Sequence, residues 1–339
     1  MPVRCRKFIL DRYDPEPITR PLVSAILLRM KTDLSMLAPC ILCPRRCGAD
    51  RPGGDRGFCG AGADIMAAHF GPHFGEEPPI TGTGGSGNIF FSFCNLRCVF
   101  CQNYQISHEG QGKTVSLEEL VAMFFSLEAT GCHNINLVSP TPYVPFIAAA
   151  IKEAKERGIG IPFLYNTNAY DSIDALRSLD GLIDIYLPDF KYWSPVIAQK
   201  LSGAAGQAPY PECARAAIME MKRQVGDLVV EEGIAKKGIL VRHLVLPGGL
   251  AGSRQVFDWI RENLGTQTWI GLMSQYLPLH HSGRYPMLRR KIRQEEYDEV
   301  VSFLINNGFE NVFIQEPESS RLFVPDFGKE EPFNKENDQ

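Results

Sequence analysis

The sequence contains no apolar run of membrane-spanning length and no block of five or six basic residues. The first absence argues against a membrane-crossing helix, which needs about 20 consecutive apolar residues. The second, with 35 basic against 39 acidic residues, leaves neither nucleic acid nor an anionic membrane surface an electrostatic footprint. A basic start is broken early by Asp11, Asp14, Pro15 and Pro17, so no signal peptide is read there and a cytoplasmic location is expected. A dinucleotide site is missing too. Gly82, Gly84 and Gly87 fit the spacing G-x-G-x-x-G, but a strand follows them where a helix is required.

What the chain does have is cysteine in two groups. Of its ten cysteines, seven fall in two short stretches, a usage that points to metal in a reducing compartment rather than to disulfides. Cys94, Cys98 and Cys101 are spaced C-x3-C-x2-C directly after a strand-like apolar run at 89–93, with no fourth cysteine close by. Three thiolates hold three irons of a cubane [4Fe–4S] cluster and leave the fourth open, whereas ferredoxin-type clusters are closed by four cysteines. Phe91, Phe93, Val99 and Phe100 flank the trio and would keep such a cluster dry. A zinc knuckle is the competing reading, with His108 as the nearby histidine.

The upstream stretch 39–62 is rich in Gly, Pro and Arg and carries Cys40, Cys43, Cys47 and Cys59, spaced x2, x3 and x11. A loop with so little apolar surface to bury is expected to fold around a metal. Tetrahedral zinc and a second [4Fe–4S] cluster both satisfy four thiolates, and free thiols are the alternative.

From residue 88 onward, β-like apolar runs at 89–93, 134–138, 162–165, 183–187, 239–246, 269–273 and 311–314 alternate with helical patterns. The helical patterns lie at 116–130, 144–157, 171–179, 211–225, 253–264 and 294–307. Ser116 and Glu119 read as a capping box, and Gly158 and Gly308 as helix stops. Short apolar strands alternating with helices imply a parallel sheet covered by helices. The number of units predicts an α/β fold, a partial (β/α)6-type TIM barrel with an N-terminal Cys-rich extension. The expected domains are residues 1–80 (a helix at 22–37 and the Cys-rich loop), 81–316 (the barrel, with a hairpin at 228–238) and 317–339, a charged tail expected to fray. His69 and His73 read as loop residues, with a substrate-pocket or metal role as the alternative.

The C-x3-C-x2-C spacing with an aromatic, Phe100, before the last cysteine resembles the signature of the radical S-adenosylmethionine (SAM) superfamily. The resemblance implies that the open iron takes the amino and carboxylate groups of SAM. Parallel barrels collect their chemistry at the C-terminal ends of strands, and here those ends resemble the glycyl-radical-enzyme activases such as pyruvate formate-lyase activating enzyme. The run from Tyr165 to Tyr170 is similar to D-T-N-G-[FY], Leu187 to Lys191 to L-D-L-K, Arg242 to Gly248 to R-x-x-x-x-P-G, and Leu277 to His280 to L-P-x-H.

The likeness implies that Asn166, Thr167, Asp189 and Lys191 line the SAM site. A monovalent cation would sit near the SAM carboxylate at Asp189, although Asn166 replaces an aspartate of the pattern. Arg242 would offer its fork to the SAM carboxylate, and His280 would approach the adenosine. Where the family has a Gly-Gly-Glu segment for the SAM amino group, this chain has Ser139-Pro140-Thr141-Pro142, so a backbone carbonyl or Thr141 would substitute. The resemblance covers residues 88–316, and with the upstream cysteines it extends to the PflX-type branch.

The function so implied is a radical SAM enzyme that cleaves SAM reductively to methionine and a 5′-deoxyadenosyl radical. That radical takes hydrogen from a glycyl-radical enzyme, another protein or peptide, or a small molecule. A flavodoxin or ferredoxin would supply the electron. The alternative is a non-enzymatic iron–sulfur or zinc protein that carries electrons or scaffolds a complex.

Overall fold

The computed structural model describes residues 32–316 and 324–333. The helix expected at 22–37 lies outside the described residues as far as residue 31, and 32–37 are not helical. In chain order the strands are β1 (Ile65–His73), β2 (Ser86–Phe91), β3 (Lys113–Val115), β4 (Ile135–Val138) and β5 (Phe163–Thr167). They continue with β6 (Ile185–Pro188), β7 (Val229–Glu231), β8 (Ile234–Leu244), β9 (Trp269–Met273) and β10 (Val312–Ile314). All belong to one ten-stranded sheet, ordered β10-β9-β8-β6-β5-β4-β2-β1-β3, with β7 paired to β8.

From β2 through β10 the main path is parallel. At the far edge β1 runs antiparallel to both β2 and β3. The result is an open, mixed α/β sheet of the partial-barrel kind. Every residue of β2, β4 and β6 is buried, as expected of parallel strands covered on both faces.

Helices at Leu117–Ala129, Val144–Glu156, Tyr210–Val225, Ser253–Asn263 and Gln294–Asn306 fall where the periodicity places them. Both bonds of the Ser116–Glu119 capping box are made. One further helix, Pro195–Ser202, carries too short an apolar pattern to stand out in the sequence, yet Ser194 caps it and a left-handed Gly203 ends it.

Strand register sets the interior in layers. Asn88, Asn136, Leu164 and Ile185 stand side by side, and so do Phe90, Val138, Asn166 and Leu187 one layer nearer the C-terminal ends. Leu164, Ile185 and Leu187 of these layers join Ile80 and Leu240 in an apolar cluster against which Trp269 and Phe313 pack. At about 25 cal/mol per Å2 of apolar surface removed from water, that burial is the main force holding the sheet closed on this side.

Two expectations need correction. His69 and His73 are not in a loop but on β1, whose Gly71 and Pro72 hide it from strand reading. The tail does not fray at 324–333. Phe327 and Phe333 pack on Phe90 with ring centroids 5.5 and 5.4 Å away, joining Ile106 and Val138 in a small cluster.

Candidate active site

The chain leaves β2 through Phe93, a non-glycine residue at φ 68°, and enters the loop that carries Cys94, Cys98 and Cys101. Ser139 after β4 and Ala169 after β5 turn the same unusual way, at φ 57° and 59°. Left-handed backbone in residues with a Cβ costs about 1–3 kcal/mol each and persists where the surroundings over-determine it, as at binding sites. Three successive strand ends thus bend around one place.

The cysteine loop is held there by the helix Pro195–Ser202. Two carbonyls of its last turn, at Ser202 and Leu201, accept the N–H groups of Arg97 and Val99 at 2.9 and 2.8 Å, so the orphan acceptors of a helix end are used to position the loop. Each sulfur then has its own donor. Ser202 Oγ donates to Cys98 Sγ at 2.9 Å, Ser107 Oγ lies 3.2 Å from Cys101 Sγ, and Asn168 Nδ2 donates to Cys94 Sγ at 3.4 Å. The N–H of Leu96, two residues on, also points at Cys94 Sγ, at 3.5 Å.

Burial pushes the Cys94 thiol up to about 12 and the Cys101 thiol up to about 11. Metal loading therefore has to displace protons from these groups. Among the described residues no three His, Cys, Asp or Glu side chains converge closely enough to hold a single metal ion. A cubane would take the three thiolates on separate irons.

The three cysteines open onto a cavity of about 240 Å3, which Asn166, Thr167, Asn168, Asp189, Lys191 and Arg242 also line. Lys191 Nζ donates to Asp189 Oδ2 at 2.5 Å. Burial alone would lower the Lys191 ammonium, but Asp189 and the nearby Cys98 sulfur outweigh it and raise its pKa. The position next to Asp189 is thus already filled by an ammonium group.

Two expected contacts do not reach the cavity. Thr141 lies in a single helical turn and donates its hydroxyl to Asp171 Oδ1 at 2.8 Å. Thr167 and Tyr165 donate to the same carboxylate, at 2.6 and 2.9 Å, so Thr141 belongs to a buried polar knot behind β5. Ser139 lines the cavity instead. His280 is drawn away by ring contacts, stacking on Tyr104 with centroids 4.8 Å apart and lying 3.7 Å from His281. Gln275, Tyr276 and Leu277 of the same stretch face the cavity.

Arg242 departs most from expectation. It lines the cavity, yet its guanidinium is taken: Nε donates to Glu77 Oε1 at 2.9 Å, and Nη2 donates to both Glu76 and Glu77. Burial would lower its pKa, but Glu77 and Glu76 hold it well above its ordinary value. Glu76 is pushed up by burial and pulled down harder by Arg242, to about 2. Gly271, beside Arg242 in the sheet, makes room for this pair, since a Cβ there would lie 2.2 Å from Glu77 Oε1. Asn88 and Asn136 add their amides to Glu76 Oε1 at 2.8 and 2.9 Å. His243, one residue on, faces the other way into Ser253 and the Phe190 carbonyl.

Sequence reading missed Glu76, Glu77, Ser107, Ser202, Asn88 and Phe333. Only the polar asparagine in an otherwise apolar first strand signals Asn88. Ser202 acts 104 residues away from Cys98 on a helix the pattern does not reveal.

Against protein-family models, residues 88–230 match the radical SAM superfamily. The match supports the radical SAM superfamily for this chain. Members of that superfamily are enzymes built on SAM and an iron–sulfur cluster. The radical SAM segment runs from β2 into β7 and contains the trio, Asp189 and Lys191; Arg242 and the upstream cysteines lie outside it.

Two uncharacterized proteins of Methanocaldococcus jannaschii are similar over most of their length. One is 26% identical over 303 residues, covering 87% of this chain and 83% of the relative. The other is 24% identical over 267 residues, covering 73% and 70%. Among solved structures, the FeFe-hydrogenase maturase HydG from Carboxydothermus hydrogenoformans superposes with a TM-score of 0.47 at 14% identity. That superposition covers 67% of this chain and 53% of HydG, so this chain spans about half the maturase. The protein anSMEcpe with bound AdoMet gives 0.45 at 12% identity, covering 69% and 62%. No helix among the described residues is long and apolar enough to cross a membrane.

Proposed function

We propose that this protein is a radical SAM enzyme whose cluster is held by Cys94, Cys98 and Cys101 and whose SAM lies in the cavity below them. The observation that carries the reading is the convergence of three sulfurs, each with its own hydrogen-bond donor, on a cavity lined by successive strand ends. When bound, a [4Fe–4S] cluster supplies one electron to the SAM sulfonium, breaking its C5′–S bond to give methionine and a 5′-deoxyadenosyl radical. The residues of this chain do the rest. Ser202, Ser107, Asn168 and the Leu96 N–H stabilise the thiolates that ligate iron. Lys191 and Asp189 present one charge of each sign to the carboxylate and ammonium of SAM. Phe100 and Leu277 give the cavity apolar wall against which an adenosine packs.

The proposed substrate side is that of Glu76, Asn88, Phe90 and Phe333, which line the same cavity as the trio. A hydrogen-atom donor entering there is a peptide, as the likeness to the PflX-type activases favours, or a small molecule. A flavodoxin or ferredoxin is the proposed electron source, and the cytoplasm the proposed compartment. A non-enzymatic electron carrier is disfavoured by the cavity itself, since electron transfer needs no cavity lined by paired charges beside an open cluster.

The test is anaerobic reconstitution with iron and sulfide, reduction by dithionite, and measurement of 5′-deoxyadenosine formed from SAM. The wild type is expected to form it, and the protein with Cys94, Cys98 and Cys101 all changed to Ala to form none. Product formation by that triple variant would refute the proposal.

A further inference from the structure

The neighbouring strands β2 and β4 each place an asparagine at the same register, Asn88 beside Asn136. Both are buried, at 1% and 0% exposure. A buried amide needs partners for its nitrogen and for its oxygen. Here the nitrogens are served, since both Nδ2 groups donate to Glu76 Oε1, at 2.8 and 2.9 Å. A carboxylate only accepts, so Glu76 fixes which way the two amides turn. Neither Asn88 Oδ1 nor Asn136 Oδ1 then has a hydrogen-bond partner among the described residues. Two buried acceptors stand together, fixed in direction and unused.

Asn88 lines the cavity of about 240 Å3 with Glu76, His73, Phe90 and Phe333. The charge around this wall is negative, because Glu76 and Glu77 set two carboxylates against the single guanidinium of Arg242. Burial pushes Glu76 up, but Arg242 pulls it down harder, to about 2, so the carboxylate stays ionised. His73 adds no positive charge at neutral pH, since burial lowers it and Glu76 opposes this only in part. The remaining surface is aromatic. The Phe333 ring lies 4.6 Å from that of His73 and 5.4 Å from that of Phe90, between centroids. Aromatic ring faces attract cations.

Ligand groups differ in how they meet such a wall. A carboxylate or phosphate brings more acceptors and more negative charge where both are already in excess. A hydroxyl brings one donor for two free oxygens. An alkylammonium brings three donors and a positive charge. Two donors suit the asparagine oxygens, the third suits the Glu76 carboxylate, and the alkyl part packs on the rings. In a buried site the charge attraction is also stronger than in water.

We infer that Asn88, Asn136 and Glu76 hold a primary ammonium group of the ligand that enters this cavity. The inference rests on the proposed function only for the ligand's role, which makes the substrate an amine, either free or the lysine side chain of a peptide. Binding itself requires neither the cluster nor SAM.

Calorimetric titration of the full-length, reconstituted protein at neutral pH and constant ionic strength tests this. The probes are n-butylammonium, the similarly sized n-butanol and butyrate, potassium ion, and N-acetyl-lysine amide. n-Butylammonium should bind saturably, about tenfold or more tighter than n-butanol. Butyrate should not bind, and potassium should not displace the amine. Asn88→Leu removes one free oxygen and should weaken amine binding by about tenfold or more. Phe333→Ala removes a ring and should weaken it by about threefold. Binding of either amine supports the site, and the tighter of n-butylammonium and N-acetyl-lysine amide identifies the source. Equal affinity for n-butanol, displacement by potassium, or unchanged amine affinity in Asn88→Leu would overturn the inference. So would the lack of any saturable amine binding, the result expected if only water meets the two oxygens. If Asn88→Leu fails to fold, the wild-type preference among the probes and Phe333→Ala still decide it. Amine binding without 5′-deoxyadenosine formation would sink only the radical SAM reading, and the reverse result only the amine site.

Discussion

Changing Arg242 to Lys separates a SAM-binding arginine from a structural one. The guanidinium makes three bonds to two buried carboxylates, Nε to Glu77 and Nη2 to Glu76 and Glu77. Both carboxylate side chains are under 10% exposed, so water cannot replace what is lost. Lysine keeps the charge but, as a point donor without the fork, cannot hold both groups in the same geometry. Losing one or two bonds to charged groups, at about 1.5–3 kcal/mol each less what the ammonium recovers, gives a net cost of about 2–4 kcal/mol.

Arg242→Met removes the charge as well and strands a carboxylate pair, which raises the cost to about 3–5 kcal/mol or beyond. At about 2–4 °C per kcal/mol for a chain of this size, Arg242→Lys should melt about 4–16 °C below the wild type, and Arg242→Met lower still. Circular-dichroism melts give the stability, and calorimetric titration of the reconstituted proteins with SAM gives the binding. The structural account expects a clear loss of Tm with SAM affinity little changed at a temperature where both proteins are folded. A lysine variant that melts with the wild type but has lost SAM affinity would refute it, and would restore Arg242 as a direct ligand of the SAM carboxylate.

Thr141→Val should leave SAM cleavage intact and cost about 1–3 kcal/mol in a denaturant melt, because it strips one of three hydroxyl donors from the buried Asp171 carboxylate; a selective loss of SAM binding would contradict the placement of Thr141. Burial lowers His243 from its ordinary 6.5 to about 4, with the Phe190 carbonyl opposing. The folded state therefore takes up its proton less readily than the unfolded chain, and stability falls as pH drops from 6.5 through 4, by about 2 kcal/mol at pH 5 from this group. His243→Gln should flatten that part of the stability–pH curve, and an unchanged slope would remove His243 as its source.

The seven parallel strands and the main helices were legible because buried parallel strands write themselves as short, unbroken apolar runs between periodic helices. The trio was legible because ligand spacing on one loop is local information. What stayed hidden is long-range or breaks the local rule. β1 carries Gly71 and Pro72 and two histidines, and only its pairing with β2 and β3 makes it a strand. Glu76 and Glu77 sit in a Gly-Pro-rich connection that shows no pattern, yet they meet Arg242 across about 165 residues. Thr141 and His280 could be matched to motif positions, but a motif does not say which neighbour claims a side chain. Asp171 claims the first and the rings of Tyr104 and His281 the second.

Those hidden pieces give the cavity its polarity from end to end. At the strand tips the trio, Lys191 and Asp189 gather sulfur and paired charge. Around Arg242, Glu76 and Glu77 outnumber their guanidinium partner by one carboxylate, and Glu76 also lines the cavity. The Asn88 and Asn136 carbonyl oxygens are buried there without a partner. An acceptor-rich end of net negative charge favours a substrate that brings N–H or O–H donors, and disfavours one that brings a carboxylate or phosphate. If SAM binds in this cavity as proposed, its carboxylate goes to Lys191 rather than to Arg242, whose guanidinium is bonded to the two glutamates. One buried ion pair, for which Gly271 in β9 leaves room, would thereby bias the orientation of the proposed cofactor and the chemistry of the proposed substrate.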